Sequence, residues 1–101
     1  MINNGVSISK VKIGEFCQRW SVVEFSLFGS VLREDFRPES DVDVLVTFAP
    51  GARVSLFDMV NMQMELKAMF DREVDLVEKD SLRNPYRRRE ILQTAQRIYA
   101  S

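Results

Sequence analysis

The amino-acid sequence predicts an α/β (α+β) fold in which helices pack on one small mixed β-sheet. Two observations support this class. Segments with apolar residues at helical spacing alternate with short segments rich in Val, Leu and Phe. In addition, the second and third short segments are joined through one helical segment, which favours a parallel pair of strands. The 101 residues suffice for one hydrophobic core, so we expect a single domain spanning residues 1–101.

The N-terminal part predicts one helix and one strand. Ser7 or Ser9 can cap a helix that runs to about Arg19, because a serine hydroxyl accepts hydrogen bonds from the N–H groups of a first turn. Its apolar face would consist of Val11, Ile13, Phe16 and Trp20. The next segment, VVEFSLFG at residues 22–29, alternates apolar and polar side chains. This alternation predicts a half-buried strand.

A turn, a loop and the most apolar strand follow. Gly29 and Ser30 end the first strand, and Ser30 can cap a short helical turn. The segment FRPES, which contains Pro38, predicts a loop. DVDVLVTF, from Asp41 to Phe48, is β-branched and apolar, and we expect it to be a central strand.

The remaining segments predict two helices and one more strand. Ser55 can cap a helix from about Leu56 to Phe70, and EVDLVE at residues 73–78 predicts a strand parallel to the central one. Asn84 and Pro85 supply a cap and a first-turn proline. We therefore expect a last helix from about Tyr86 to Tyr99.

Composition excludes several kinds of chemistry. The chain has no histidine and one cysteine. Ser-His-Asp and Cys-His nucleophile systems, His-ligated zinc and an intrachain disulfide are therefore excluded. No signal peptide and no apolar run near the ~20 residues needed to span a bilayer are present. We expect a cytoplasmic protein that does not contact membranes.

Charge is divided along the chain. Residues 1–80 carry 9 Lys and Arg against 14 Asp and Glu, whereas residues 81–101 carry 5 Arg against 1 Glu. The basic C-terminal segment can face an anionic ligand or partner, or can be a solvated helix surface. It is short and the rest of the chain is acidic, so the sequence does not predict direct nucleic-acid binding.

Acidic residues stand at the start of two predicted strands. Asp41 and Asp43 would point to the same side of a strand, about 6.7 Å apart along the chain. Asp75, in the neighbouring strand, could come to lie beside them. Two carboxylates that lie ~5 Å apart repel each other by about 3 kcal/mol at an effective dielectric of ~20. A cation would relieve this repulsion, and oxygen ligands without His or Cys indicate Mg²⁺ or Mn²⁺, which leads to phosphoryl or nucleotidyl transfer.

The Gly-Ser turn predicts a phosphate site beside these acids. Gly29 allows the backbone to approach a ligand closely, and a helical turn after it presents free N–H groups. Ser30 adds a hydroxyl donor. The alternatives are an ordinary turn at Gly29 and Ser30 and solvated strand-end charge at the three aspartates.

The spacing of these motifs resembles a known signature. Gly29-Ser30, ten residues, then Asp41-Val42-Asp43 is similar to the signature of the DNA polymerase beta-like nucleotidyltransferase superfamily. The similarity continues through EVDLVE and SLRNPYRRREIL. Over nearly the whole chain it resembles the minimal nucleotidyltransferase (MNT) domains of HEPN/MNT toxin–antitoxin pairs. The resemblance implies a polymerase beta-like nucleotidyltransferase fold.

The resemblance also implies a nucleotide site. Gly29 and Ser30 match the residues that hold a nucleoside triphosphate. Arg33 matches a basic residue three positions after the serine, which contacts phosphate. Family members often have Ala-Arg-Gly at this point, whereas this chain has Leu32-Arg33-Glu34.

The three aspartates match the family's carboxylates. Asp41 and Asp43 correspond to the ligands of two Mg²⁺ ions, with Mn²⁺ as an alternative. Asp75 corresponds to a third metal-binding carboxylate that aligns or deprotonates the attacking hydroxyl. The implied reaction is transfer of AMP from ATP to a tyrosine of a partner HEPN ribonuclease toxin, which is neutralised in a hetero-oligomer.

Two other functions remain open at this point. The chain could be an antitoxin that acts by binding the HEPN toxin alone, since metal ligands do not prove turnover. It could also be a nucleotidyltransferase for a small-molecule or RNA acceptor. Enzymes of that second kind usually carry an additional substrate domain.

Overall fold

The computed structural model describes residues 9–29 and 41–100, and within them it contains three α-helices and one four-stranded sheet. The helices are α1 (Lys10–Trp20), α2 (Leu56–Phe70) and α3 (Pro85–Thr94). The strands are β1 (Val22–Phe28), β2 (Val42–Phe48), β3 (Val74–Glu78) and β4 (Gln96–Ala100). The helical turn predicted after Ser30 and the loop predicted at Pro38 lie outside the described residues.

The sheet is mixed, as predicted. Its strand order is β3-β2-β1-β4, with β2 parallel to β3 and antiparallel to β1. β2 therefore lies inside the sheet, as expected of its apolar sequence. In the described part of the chain, no helix is both long and apolar enough to cross a membrane.

Side-chain caps fix the start of each helix. Ser9, Ser55 and Asn84 cap α1, α2 and α3. Ser55 and Asp58 form a reciprocal capping box in which both hydrogen bonds measure 3.0 Å. Asn84 Oδ1 accepts from the backbone N–H groups of the two residues after Pro85, at 3.0 and 3.2 Å. These local contacts confirm all three predicted helix starts.

The C-terminal segment differs from its prediction. The helix expected to reach Tyr99 ends at Thr94, and residues 96–100 form β4 along β1. Ala95 leaves helical geometry with a ψ of 137°. In β4, Ile98 and Tyr99 pack against the core. A continued helix would leave the outer edge of β1 unpaired, so strand pairing outweighs local helix propensity here.

The main core lies between α1, α2 and one face of the sheet. Phe16 of α1 and Phe25 of β1 meet edge to face, with ring centroids 6.0 Å apart. The buried residues of this core are Ile13, Phe16, Cys17, Val22, Phe25, Leu27, Val42, Val44, Val46, Met62, Leu66, Phe70 and Val74.

A second, smaller cluster lies on the other face. It consists of Phe28, Leu45 and Ile91, the last from α3. Because α3 covers this face, Ser26 and Phe28 are also buried in β1. The prediction of a half-buried β1 is therefore wrong along its second half.

The predicted apolar face of α1 is correct except at one residue. Ile13 and Phe16 are fully buried and Trp20 packs against the core, but Val11 is 72% exposed. The helix turns about 100° per residue, so Val11 and Ile13 point to different sides. Only the second of them can contact the sheet.

Substitution of these two residues tests the placement of α1. We expect Ile13→Ala to lower the free energy of unfolding by about 2–5 kcal/mol, because it removes buried methyl groups and leaves a cavity. Val11→Ala should change it by less than about 0.5 kcal/mol, as a surface change. Urea denaturation measures both values. Similar losses in the two variants would contradict this orientation.

The single cysteine is shielded by the core. Burial raises the pKa of the Cys17 thiol from 9.0 to about 12, because the thiolate is poorly solvated there. We expect a thiol reagent at pH 8 to modify the folded protein at least about 100-fold more slowly than the denatured protein. The absorbance of the chromophore that the reagent releases measures both rates. Equal rates for the folded and the denatured protein would show that Cys17 is not in the core.

Candidate functional site

The start of β2 lies between two other chain segments at one end of the sheet. Asp43 is the register partner of Phe28 in antiparallel β1 and of Asp75 in parallel β3. The backbone N–H of Val42 donates to the carbonyl of Glu73 at 2.8 Å. This hydrogen bond ties the beginning of β2 to the beginning of β3 and fixes the register that brings the two aspartates together.

Strand alternation directs Asp43 away from the main core. Its neighbours Val42 and Val44 are fully buried against the helices, so Asp43 faces the opposite side of the sheet. Asp75 lies at the same level of β3, where neighbouring strands are about 4.8 Å apart. Asp43 is half-buried, whereas Asp75 and Asp41, the residue before the strand, are exposed. The acids thus border an accessible end of the sheet.

Gly29 lies very close to Asp43, one of these three aspartates. Its φ is +76°, in the left-handed region that disfavours side chains. A Cβ atom at this position would overlap Asp43 Oδ2 and lie 3.1 Å from Asp43 Cγ. Only glycine therefore satisfies both the turn after β1 and the space beside Asp43. The approach supports the prediction that the Gly29 backbone lies at the site.

A small apolar platform lies next to the acids. Phe28, the register partner of Asp43, packs with Leu45 and with Ile91 of α3. Leu45 is two residues after Asp43 and shares its face of the sheet. The sequence analysis did not predict that Leu45 and Ile91 pack beside the aspartates. The signal available was alternation, which places Asp43 and Leu45 on one face and implies that something must cover the leucine.

The predicted site residues that the structure describes converge. Four of them lie at the same end of the sheet: Gly29, Asp41, Asp43 and Asp75. Ser30 and Arg33 lie outside the described residues, so what we expect of them stays a prediction.

The donor set fits a cation that is shared with a nucleotide. Among residues 9–29 and 41–100, no three acidic, histidine or cysteine side chains form a group that could hold a metal by themselves. Magnesium rarely needs such a cage, because it usually binds one or two carboxylates and completes its shell with water and phosphate oxygens. Asp43 and Asp75, side by side next to the Gly29 turn, offer that kind of partial site.

Paired carboxylates beside a glycine turn can hold a metal ion together with the phosphate oxygens of a ligand. The sequence comparison agrees: the chain belongs to the nucleotidyltransferase domain family, whose model matches residues 10–98. This membership confirms the class that the motif spacing predicted.

Within this family, the chain is similar to individual proteins of known activity or structure. The chain is 37% identical over 70 residues to protein adenylyltransferase MntA of Thermococcus cleftensis, covering 69% of each chain. It shares its fold with a crystal structure of a toxin–antitoxin with AMP-PNP, at a TM-score of 0.74 and 19% identity, covering 93% of this chain and 75% of that one.

A third comparison involves a modified toxin. A structure of tri-AMPylated Shewanella oneidensis HEPN toxin in complex with MNT antitoxin matches with a TM-score of 0.65 and 19% identity, covering 91% of this chain and 70% of that one. Together with the family match, these likenesses confirm the predicted nucleotidyltransferase fold.

Proposed function

We propose that this chain is a Mg²⁺-dependent protein adenylyltransferase that neutralises a HEPN ribonuclease toxin by transferring AMP from ATP to a tyrosine hydroxyl of the toxin. The observation that carries this proposal is the pairing of Asp43 with Asp75 beside Gly29 at an accessible end of the sheet. The relative named as a protein adenylyltransferase supports the reaction. The complex of an AMPylated HEPN toxin with an MNT antitoxin supports the acceptor and the partner.

The acidic residues hold the metal in this proposal. Asp41, Asp43 and Asp75 would bind two Mg²⁺ ions, or Mn²⁺ in their place. Cations held by these carboxylates would offset the phosphate charge and ease deprotonation of the acceptor hydroxyl. Asp43 is held by the strands on both sides of it, so its carboxylate needs little reorganisation when the nucleotide binds.

The turn after β1 holds the nucleotide. Gly29 lets backbone N–H groups approach the triphosphate, because it carries no side chain in the space beside Asp43. Ser30 and Arg33 contribute a hydroxyl and a guanidinium to the phosphates. A guanidinium suits this role since its N–H donors match phosphate oxygens in pairs.

The chemical step is an exchange at the α-phosphorus of ATP. The tyrosine oxygen of the toxin attacks this phosphorus, the bond to the oxygen that bridges to the β-phosphate breaks, and pyrophosphate leaves with the electron pair. Asp75 accepts or directs the hydroxyl proton. Asp75 is exposed, so an acceptor presented by another protein can reach it.

Labelled ATP tests this proposal. Incubation of the chain with the HEPN toxin, Mg²⁺ and ATP labelled in its α-phosphate should label a toxin tyrosine, whereas ATP labelled in its γ-phosphate should not. Addition of EDTA should remove the signal. Transfer of the γ-label would indicate a kinase reaction, and label on RNA or a small molecule would favour the other acceptors.

A further inference from the structure

The chain carries one exposed tyrosine. Of its two tyrosines, Tyr99 is half-buried and packs against the core, while Tyr86 is 85% exposed. Tyr86 lies in the first turn of α3, where its backbone N–H donates to Asn84 Oδ1 at 3.0 Å. Its side chain is therefore presented to solvent from a capped helix start rather than from a loop.

Positive charge predominates near this tyrosine in the sequence. Residues 83–90, RNPYRRRE, contain four arginines and one acid, Glu90. Arg88 anchors the helix by donating to the carbonyl of Lys79 at 2.9 Å. Arg83, Arg87 and Arg89 are exposed, and the ion pairs within the described part of the chain involve other residues. The three exposed arginines outnumber the exposed Glu90 of the same helix, so the charge near Tyr86 is net positive.

Tyr86 faces away from Asp41, Asp43 and Asp75 of its own chain. β3 runs from Val74 to Glu78 with Asp75 near its start, and α3 begins beyond its far end. Ile91 is the residue of α3 that is buried against the sheet. Tyr86 precedes it by five residues, which places the two side chains about 140° apart around the helix. A reaction at Tyr86 therefore requires the site of a second copy.

The two surfaces are complementary in charge. The end of the sheet with Asp41, Asp43 and Asp75 is acidic, and a bound triphosphate adds negative charge, whereas the surface around Tyr86 is positive. Such complementarity steers encounter between two molecules. A tyrosine hydroxyl on a protein surface is also the acceptor chemistry of the proposed function.

We propose that Tyr86 is an acceptor for AMP transferred by a second copy of this chain. This inference rests on the proposed function. The Tyr86 Oη of one copy attacks the α-phosphorus of ATP held by the other. The phosphorus bond to the bridging oxygen breaks, pyrophosphate leaves with the electron pair, and the hydroxyl proton passes to solvent. The product is Tyr86 linked to AMP through a phosphodiester.

Mass spectrometry of the chain after incubation with ATP and Mg²⁺ tests the acceptor. One AMP on the peptide that contains Tyr86 is expected, with at least a tenfold loss of modification in Tyr86→Phe. Tyr99→Phe is the matched control and should keep the signal. Unchanged modification in Tyr86→Phe would overturn the inference.

A mixture of two variants tests transfer between copies. An affinity-tagged Asp41→Asn/Asp43→Asn variant has the acceptor and lacks the site, while Tyr86→Phe has the site and lacks the acceptor. We expect AMP on the tagged chain when the two are mixed with ATP. If the wild-type chain acquires AMP but the tagged chain in the mixture does not, transfer between copies is overturned.

The HEPN toxin separates this inference from the function it rests on. The same preparation is incubated with ATP and the toxin. Modification of the toxin with none at Tyr86 overturns the inference and leaves the proposed function intact. Modification of neither protein overturns both.

Arg83→Ala/Arg87→Ala should slow labelling of Tyr86 at low salt, and an unchanged rate would contradict the role of charge.

Discussion

Replacing Asp41 and Asp43 together with asparagine is expected to abolish AMP transfer while the protein stays folded. The loss should be about 10³-fold or more, which corresponds to about 4 kcal/mol of transition-state stabilisation supplied through bound metal. Asparagine has nearly the same shape, and it removes charges that repel Asp75. The free energy of unfolding should therefore change little. Transfer of α-labelled AMP and urea denaturation measure the two effects.

Asp80→Asn is the matched control for this variant. Asp80 is an exposed acid in the short turn that follows the far end of β3, so the chemical change is the same but lies away from the site. Asp80→Asn should transfer AMP at the wild-type rate. Marked destabilisation of the Asp41→Asn/Asp43→Asn variant without metal would show that these two residues have a structural role instead.

Gly29→Ala is expected to damage both the fold and the reaction. A residue with a side chain at a φ of +76° is strained, and its Cβ would overlap Asp43 Oδ2. Strain and overlap together should lower the free energy of unfolding by about 2–4 kcal/mol. Displacement of the Asp43 carboxylate should lower AMP transfer by about 10²-fold, in line with the loss of a positioned catalytic group.

Gly51→Ala separates backbone strain from the contact with Asp43. Gly51 has a similar φ of +83°, but a Cβ there meets nothing within 4 Å. We expect a smaller loss of stability, about 1–2 kcal/mol, and a wild-type rate of transfer. If Gly29→Ala and Gly51→Ala were equally stable and equally active, close approach of Gly29 to Asp43 would not matter for function.

Helix starts could be predicted from the sequence because their causes are local. Ser55 and Asn84 accept hydrogen bonds from N–H groups two or three residues away, and such contacts depend little on the rest of the fold. The parallel pairing of β2 with β3 followed from the single helix between them.

Features that depend on distant contacts were predicted less well. The helix predicted to reach Tyr99 ends early because β1 offers an edge that no local signal reveals. Burial of Ser26 depends on the second face being covered by α3. In α2, apolar residues occur on several sides, and the sequence does not indicate that Met62 is buried while Leu56 is 86% exposed.

The site was predictable in its composition but not in its closest contact. Alternation and strand order were enough to expect Asp75 beside Asp43, because parallel strands that begin together align their first residues. The approach of Gly29 to Asp43 depends on the antiparallel register of β1 and β2. Antiparallel register depends on the hydrophobic pattern of both strands together, which no short motif specifies.

The intact mass of the HEPN toxin, measured with its ribonuclease activity, tests the proposed reaction most directly. After incubation with the chain, ATP and Mg²⁺, we predict that the toxin gains whole AMP units on a tyrosine and stays inactive when the chain is removed. A toxin that keeps its unmodified mass, and regains ribonuclease activity once the chain is removed, would contradict AMP transfer and would identify neutralisation by binding alone.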